Sequence, residues 1–261
     1  FFLAQAREIL FQNITMTIAK GEHSTISIGI RPQSQENAIA NVALSRWSHD
    51  LYFDNCVFNG LSEHGIETFN AYNVYMTEIK STDCEGNGIL LNCSYNVWIN
   101  RIISIRCCTS ATYAAVRFAN DAGPNINIHY VYGESSGNGV FLASSCNDIL
   151  IDKINLVNIC STPIYVGGSA GLQIKSGQII SNGGEAKYHI HDGTIGTKKA
   201  TQSNAIFIVA GSSSQFLPQW NNVFENIKID GVKSGYTERY NMSSNFNVYN
   251  NIDTTGCNKA K

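Results

Sequence analysis

The amino-acid sequence predicts an all-β protein: one single-stranded right-handed parallel β-helix, a solenoid of roughly 23-residue rungs. Two observations carry that expectation. A short unit, one small or polar residue followed by apolar alternation, returns at a nearly fixed interval, and a second unit of different composition returns in phase with it. A third observation agrees: 4 prolines stand against 22 glycines, so Asn, Gly and Ser must supply most of the turns.

The first unit reads His64-Gly65-Ile66-Glu67-Thr68, Asn87-Gly88-Ile89-Leu90-Leu91 and Ala114-Ala115-Val116-Arg117-Phe118. It continues as Asn138-Gly139-Val140-Phe141-Leu142, Thr162-Pro163-Ile164-Tyr165-Val166 and Asn204-Ala205-Ile206-Phe207-Ile208. Anchored on the central aliphatic residue, the steps are 23, 27, 24 and 24, and the last, from 164 to 206, is 42: one rung of 24 and an insertion of 18. So short a strand cannot bury its inner face alone. Stacking coil on coil gives each strand two parallel neighbours and one continuous core. Period-2 alternation sends Ile66, Ile89, Val116, Val140 and Ile164 inward as one stack.

The second unit begins with a turn residue: Asp50-Leu51-Tyr52-Phe53, Asn73-Val74-Tyr75-Met76 and Asn96-Val97-Trp98-Ile99. Asn125-Ile126-Asn127-Ile128, Asn147-Asp148-Ile149-Leu150 and Gly171-Leu172-Gln173-Ile174 follow, with steps of 23, 23, 29, 22 and 24. Asn tolerates left-handed backbone and can bond its counterpart one rung away. Asn73, Asn96 and Asn147 are therefore expected at equivalent bends, mostly buried. A leucine-rich repeat has a similar period but needs a Leu/Asn consensus that is absent, and a β-sandwich would not keep this phase.

Composition narrows the function. Charged residues are 15% of the chain and the net charge is −2, which argues against a nucleic-acid partner. No apolar run is long enough to span a bilayer, so no membrane partner is expected. The apolar start, Phe1-Phe2-Leu3-Ala4, soon meets Arg7 and Glu8 and lacks the basic start and cleavage site of a signal peptide. With no initiator Met, residues 1–261 read as a single β-helix domain trimmed from a longer precursor, with 183–203 as an inserted loop. The 8 cysteines form no CxxC pair and no zinc spacing; they read as small buried apolar residues, with disulfides as the alternative. Sequons at Asn13, Asn92 and Asn241 permit glycosylation.

These phased repeats resemble the pectin-lyase-like superfamily of right-handed β-helices, clearly over about residues 45–180 and more weakly over about 10–32 and 204–230. The superfamily contains polysaccharide lyases, glycoside hydrolases, uronate epimerases and phage tailspikes. The resemblance implies a carbohydrate-active, extracellular or cell-surface protein, with a polysaccharide as partner. His64-Gly65-Ile66-Glu67-Thr68-Phe69 is similar in its first four positions to the Tyr-Gly-aliphatic-Asp-Pro-His element of the alginate epimerases, with Phe69 where they have a second His. The Asn-Thr-Asp, Asp-Asp and Gly-His-Gly motifs of the polygalacturonases are absent; Thr82-Asp83-Cys84 and Glu63-His64-Gly65 do not make that set. Arg31-Pro32 does not match the Arg-x-Pro-x-x-Arg of the calcium-dependent pectate lyases, and no motif indicates calcium. No cofactor or metal is assigned.

Candidate residues follow from the outward positions of the first unit. One column reads Gly29, Glu67, Leu90, Arg117, Phe141, Tyr165, Phe207, and its neighbour reads Arg31, Phe69, Asn92, Ala119, Ala143, Gly167, Val209. A glycan lying along these columns would meet Glu67, Arg117 and Tyr165 in turn. The expected catalytic set is His64, Glu67, Arg117 and Tyr165: His64 or Tyr165 as base, Glu67 as acid or orienting group, and Arg117 or Arg31 against a uronate carboxylate. A turn-capping His64 and a solvated Glu67 are the plainer alternative. Asn92, Phe141 and Arg31 are expected substrate contacts. So are His189 and His191, whose His-x-His-Asp spacing lies in the insertion.

Two functions compete. One is an enzyme on an anionic, uronate-containing glycan, working by β-elimination or related C5 proton abstraction, or alternatively a glycoside hydrolase. The other is a non-catalytic, tailspike-like glycan-binding fibre, for which a homo-oligomer is compatible.

Overall fold

The computed structural model describes residues 2–17, 31–33, 45, 47–107, 113–182, 185–189, 195–199, 204–209, 221–239 and 247–257. The fold is all-β. No α-helix occurs among the described residues, and every strand but two joins one large sheet whose pairings are all parallel. This arrangement is consistent with a parallel β-helix.

The pairing register follows the repeat. Ile66 pairs with Ile89, Ile89 with Val116, Val116 with Val140, Val140 with Ile164, and Ile164 with Ile206. All six are fully buried within one core cluster. Burying each such aliphatic side chain contributes about 1.5–3 kcal/mol. The direct pairing of Ile164 with Ile206 spans the 42-residue step, so the insertion stands outside the large sheet. Its two described strands, Glu185–His189 and Ile195–Lys199, form a separate antiparallel pair.

The pairings define three faces. The first holds the first unit, in strands such as Ala114–Ala119, Asn138–Ala143 and Ile164–Gly167. The second holds the second unit, from Arg7–Gln12 and Ser48–Asp54 to Leu172–Ile174. The third holds strands such as Cys56–Asn59 and Gly177–Ile180. Ile66–Thr82 and Ile89–Ile105 each run through all three faces as one bent strand, with positive φ at Asn70 and Asn73, and at Cys93 and Asn96.

The bend before the second face repeats with left-handed backbone at every level. Asp50, Asn73, Asn96, Asn125, Asp148 and Gly171 have φ of 54°, 53°, 51°, 62°, 51° and 70°. Asn and Asp tolerate this region through local hydrogen bonding, and Gly through its missing Cβ. Side chains link the levels: Asn73 Nδ2 donates to Asp50 Oδ1 (2.9 Å), Asn96 Nδ2 to Asn73 Oδ1 (3.3 Å) and Asn125 Nδ2 to Asn96 Oδ1 (3.1 Å). The backbone N–H of Asn125 then donates to Asp148 Oδ2 at 2.9 Å.

Two expectations need correcting here. The ladder position in the fifth copy is Asp148, not Asn147, because Ile126 pairs with Ile149 and buries both side chains. Asn73 and Asn96 are half-buried rather than mostly buried, since the ladder runs along the rim of the bend.

The small residue in the first unit also has a steric cause. A Cβ on Gly65 would collide with the Ser81 hydroxyl, and one on Gly88 with that of Ser104. The described cysteines are thiols, buried except for the half-exposed Cys257, as their apolar reading predicts; Cys108 lies outside the described residues. Burial pushes Cys93 up to about 11 and Cys146 up to about 12, so neither is a thiolate nucleophile near neutral pH.

Candidate functional site

The first face brings the expected column together. Glu67, Leu90, Arg117, Phe141, Tyr165 and Phe207 stand in unbroken register. The Arg117 guanidinium lies over the Phe141 ring, 5.0 Å from its centroid. Phe141 meets Tyr165 edge-on at 4.8 Å, and Tyr165 meets Phe207 at 5.7 Å.

This column is largely withdrawn from solvent. Residues 66–71 are buried on both sides of the sheet, and Glu67 is only 4% exposed. Glu67 Oε1 accepts from Asn92 Nδ2 at 3.2 Å, and Asn92 Oδ1 accepts from Asn120 Nδ2 at 2.7 Å. Burial pushes the Arg117 guanidinium down from its usual range, opposed by the nearby Tyr113, Cys146 and Glu67. Burial pushes the Tyr165 hydroxyl up, so it carries its proton at neutral pH.

His64 sits in the bend before this face and is 8% exposed. Its Nδ1 accepts the backbone N–H of Asn87 at 2.9 Å. An acceptor nitrogen carries no proton, so in the neutral ring Nε2 is the protonated one. The equivalent position one level up is Asn87, whose Oδ1 accepts the N–H of Ala114 at 2.7 Å. Asn138 does the same for Thr162 at 3.1 Å. His64 therefore fills the place of an Asn in a ladder of buried acceptors.

The second face is different in kind. Its first outward column runs Leu10, Tyr52, Tyr75, Trp98, Asn127, Leu150 in register, and continues through Gln173 and Val223 to Val248. The large apolar side chains that stay well exposed among the described residues are Leu10 (60%), Tyr52 (44%), Tyr75 (36%) and Val248 (48%), and all four stand on this column. Tyr52 and Tyr75 stack at 5.1 Å and 9°, and Tyr75 and Trp98 at 4.9 Å and 7°. The stack ends at Trp98, because the next position is Asn127.

A second outward column lies two residues further along each strand: Gln12, Asp54, Thr77, Asn100, His129, Asp152. Bonds link adjacent members at its two ends. Asp54 accepts from Gln12 Nε2 at 2.9 Å and from Thr77 Oγ1 at 2.5 Å. These bonds hold the Asp54 carboxyl below its usual range. Asp152 accepts from Lys175 Nζ at 2.8 Å and meets His129 Nδ1 at 3.1 Å, and both interactions hold its carboxyl low, Lys175 the more strongly.

Between the two columns runs a groove of about 340 Å³. Tyr75, Trp98, Asn127 and Leu150 form one wall, and Thr77, Asn100, His129 and Asp152 the other, over a floor of Met76, Ile99 and Ile128. That volume is at the lower end of ligand pockets, about 300–1,000 Å³. One wall is apolar and aromatic; the other offers hydroxyl, amide, imidazole and carboxylate groups.

Gln33, not Arg31, pairs with Phe69, so Arg31 leaves the column expected for it and stands level with Glu67 on the first. Other expected residues lie apart. His189 ends a strand of the separate antiparallel pair, and His191 and Gly29 lie outside the described residues. Among the described residues no three His, Cys, Asp or Glu side chains are grouped to hold a metal ion.

Sequence reasoning centred on the first unit missed the second-face groove. The signal was present: Tyr52, Tyr75 and Trp98 are three aromatic residues at one outward position in successive copies of the second unit. Comparison of the chain with protein-family models, curated proteins and solved structures finds no match.

Proposed function

We propose that the chain is a single-stranded right-handed parallel β-helix of the pectin-lyase-like kind, and that it binds a polysaccharide along its second face. Parallel crossovers in one sheet are right-handed almost without exception, which supports the hand. The observation that carries the binding reading is the concentration of exposed large apolar side chains on one column beside a polar column. A sugar chain has both characters, with C–H faces for the ring stack and hydroxyls for Thr77, Asn100 and His129. Rungs repeat at about 4.8 Å, close to the length of one sugar unit, so an extended glycan can stay in step with the groove. Such a ligand implies a place outside the cell or on its surface.

Binding without bond cleavage is what this face supports. Glycoside hydrolysis uses two carboxyl groups about 5–9.5 Å apart. The carboxylates of the polar column are Asp54, Asp152 and Glu225. Asp54 and Asp152 are four levels apart, about 19 Å at 4.8 Å per level. Asp152 and Glu225 are two levels apart, about 9.6 Å, with Lys175 between them and bonded to Asp152.

A second reading places C5 proton abstraction from a uronate on the first face, favoured by Arg117, Phe141 and Tyr165 sharing one outward column. Arg117 would face the carboxylate. Tyr165 would return a proton to the leaving oxygen rather than remove one. His64 Nδ1 is already engaged, and the base is the missing part.

Affinity electrophoresis through gels containing a polysaccharide panel tests the main reading. Wild type should be retarded in at least one gel, and Tyr75→Ala and Trp98→Ala should each lose about tenfold or more in affinity, as anchor residues do. Retardation that survives both substitutions removes the second face from consideration. Ultraviolet absorbance of an unsaturated product after incubation with uronate polymers, abolished in Arg117→Ala, would favour the second reading.

A further inference from the structure

Resting on that reading, we infer that the glycan held in the second-face groove is a neutral polysaccharide, not a polyuronate. The argument is one of charge matching along the groove. A polyanion is held by a track of cations whose charge is not already matched. The polar column of the second face carries three carboxylates, Asp54, Asp152 and Glu225, and one ammonium, Lys175, which is already bonded to Asp152 at 2.8 Å. Asp54 is held by the neutral donors of Gln12 and Thr77. The corner just beyond adds Glu78, Arg101 and Lys153, with Arg101 paired to Glu78 at 3.3 Å. Among these residues four carboxylates stand against three cations, so no excess positive charge lines the groove. Asp54 and Asp152 are both held below their usual range and are ionised at neutral pH. A polyuronate, with one carboxylate per sugar, would bring its charges against Asp152 as it filled the groove, and against Asp54 and Glu225 where it ran on along the column.

The other groups in the groove suit uncharged hydroxyls. Asn100 and Asn127 each donate and accept, and the Thr77 hydroxyl, whose proton goes to Asp54, accepts. The ring stack from Tyr52 to Trp98 offers apolar contact that carries no preference for charge. Binding of this kind is insensitive to ionic strength, whereas polyanion binding to a basic track falls with salt.

The test is affinity electrophoresis of wild type, Tyr75→Ala and Trp98→Ala at pH 7 in 20 and 200 mM salt. One set of gels contains neutral polymers (galactomannan, xyloglucan, mixed-linkage β-glucan and dextran), the other polygalacturonate or alginate. The expected result is retardation in at least one neutral gel, unchanged within twofold between the two salts and lost in both variants, with none in the uronate gels. Retardation in a uronate gel that falls with salt and is lost in the variants would overturn the neutral assignment while leaving the second face as the binding face. Absence of any retardation that depends on Tyr75 or Trp98 would overturn both. A concentration-dependent dimer by light scattering, abolished in Tyr75→Ala, would show the aromatic column to be a self-contact and would also overturn both.

Discussion

The outward columns of the first and second faces are built by the same rule and end in opposite conditions. Each is every second residue of a stack of parallel strands, each carries aromatic side chains one above another, and each keeps unbroken register over six levels. On the first face Glu67 and Leu90 are buried and Arg117, Phe141 and Tyr165 are half-buried. On the second face Leu10, Tyr52 and Tyr75 stand open, and Tyr75 forms part of the wall of a groove. Alternation decides which side of a strand a residue takes; it does not decide whether that side meets water. The difference separates a column that strengthens the fold from one available to a ligand.

Substitutions that probe stability sharpen this contrast. The largest effect is expected at His64. His64→Ala leaves the buried N–H of Asn87 without its acceptor, which costs about 1–3 kcal/mol. His64→Asn, copying the residue one level up, should recover most of that loss in denaturant unfolding. A variant His64→Ala that unfolds like wild type would return His64 to the list of available bases.

Arg117→Ala should come next, at about 1–2 kcal/mol. It removes the guanidinium over Phe141 and a nearby positive charge from the buried carboxylate of Glu67. The same variant should bind polysaccharide as wild type does. Read as a solvated surface residue, Arg117 would have changed stability by about 0.5 kcal/mol or less, and chemical denaturation distinguishes the two values.

The smallest effect is a pH dependence at the bend before the second face. Hydrogen bonds from Asn73, then from His49, hold the Asp50 carboxyl below its usual range. A depressed carboxyl contributes stability that is fully present above the unfolded value, about 3.9, and is lost as the pH falls through the folded value. Asp50→Asn should therefore narrow the difference in Tm between pH 6 and pH 3. An unchanged difference would show that the ladder does not depend on that charge.

The fold was legible because its period is short and its alternation strict: the inward stack from Ile66 to Ile164 could be read by counting. Asn147 was misplaced by one because Asn and Asp both accept left-handed backbone, and only the inward Ile149 distinguishes their positions. The burial of Glu67 and His64 was not legible, since it depends on chain that is distant in sequence. The groove was half-legible. The repeat of Tyr52, Tyr75 and Trp98 is visible in the sequence, whereas the partnership of His129 with Asp152 appears only when strands 23 residues apart are set side by side.

Hydroxyl-radical footprinting with and without a saturating polysaccharide retained by the wild type compares the two columns in one experiment. Protection of Tyr52, Tyr75 and Trp98, with Phe141, Tyr165 and Phe207 unchanged, is the predicted result. Protection of Phe141 and Tyr165, with the Tyr52–Trp98 stack still fully labelled, would contradict the assignment and move the binding face to the first column.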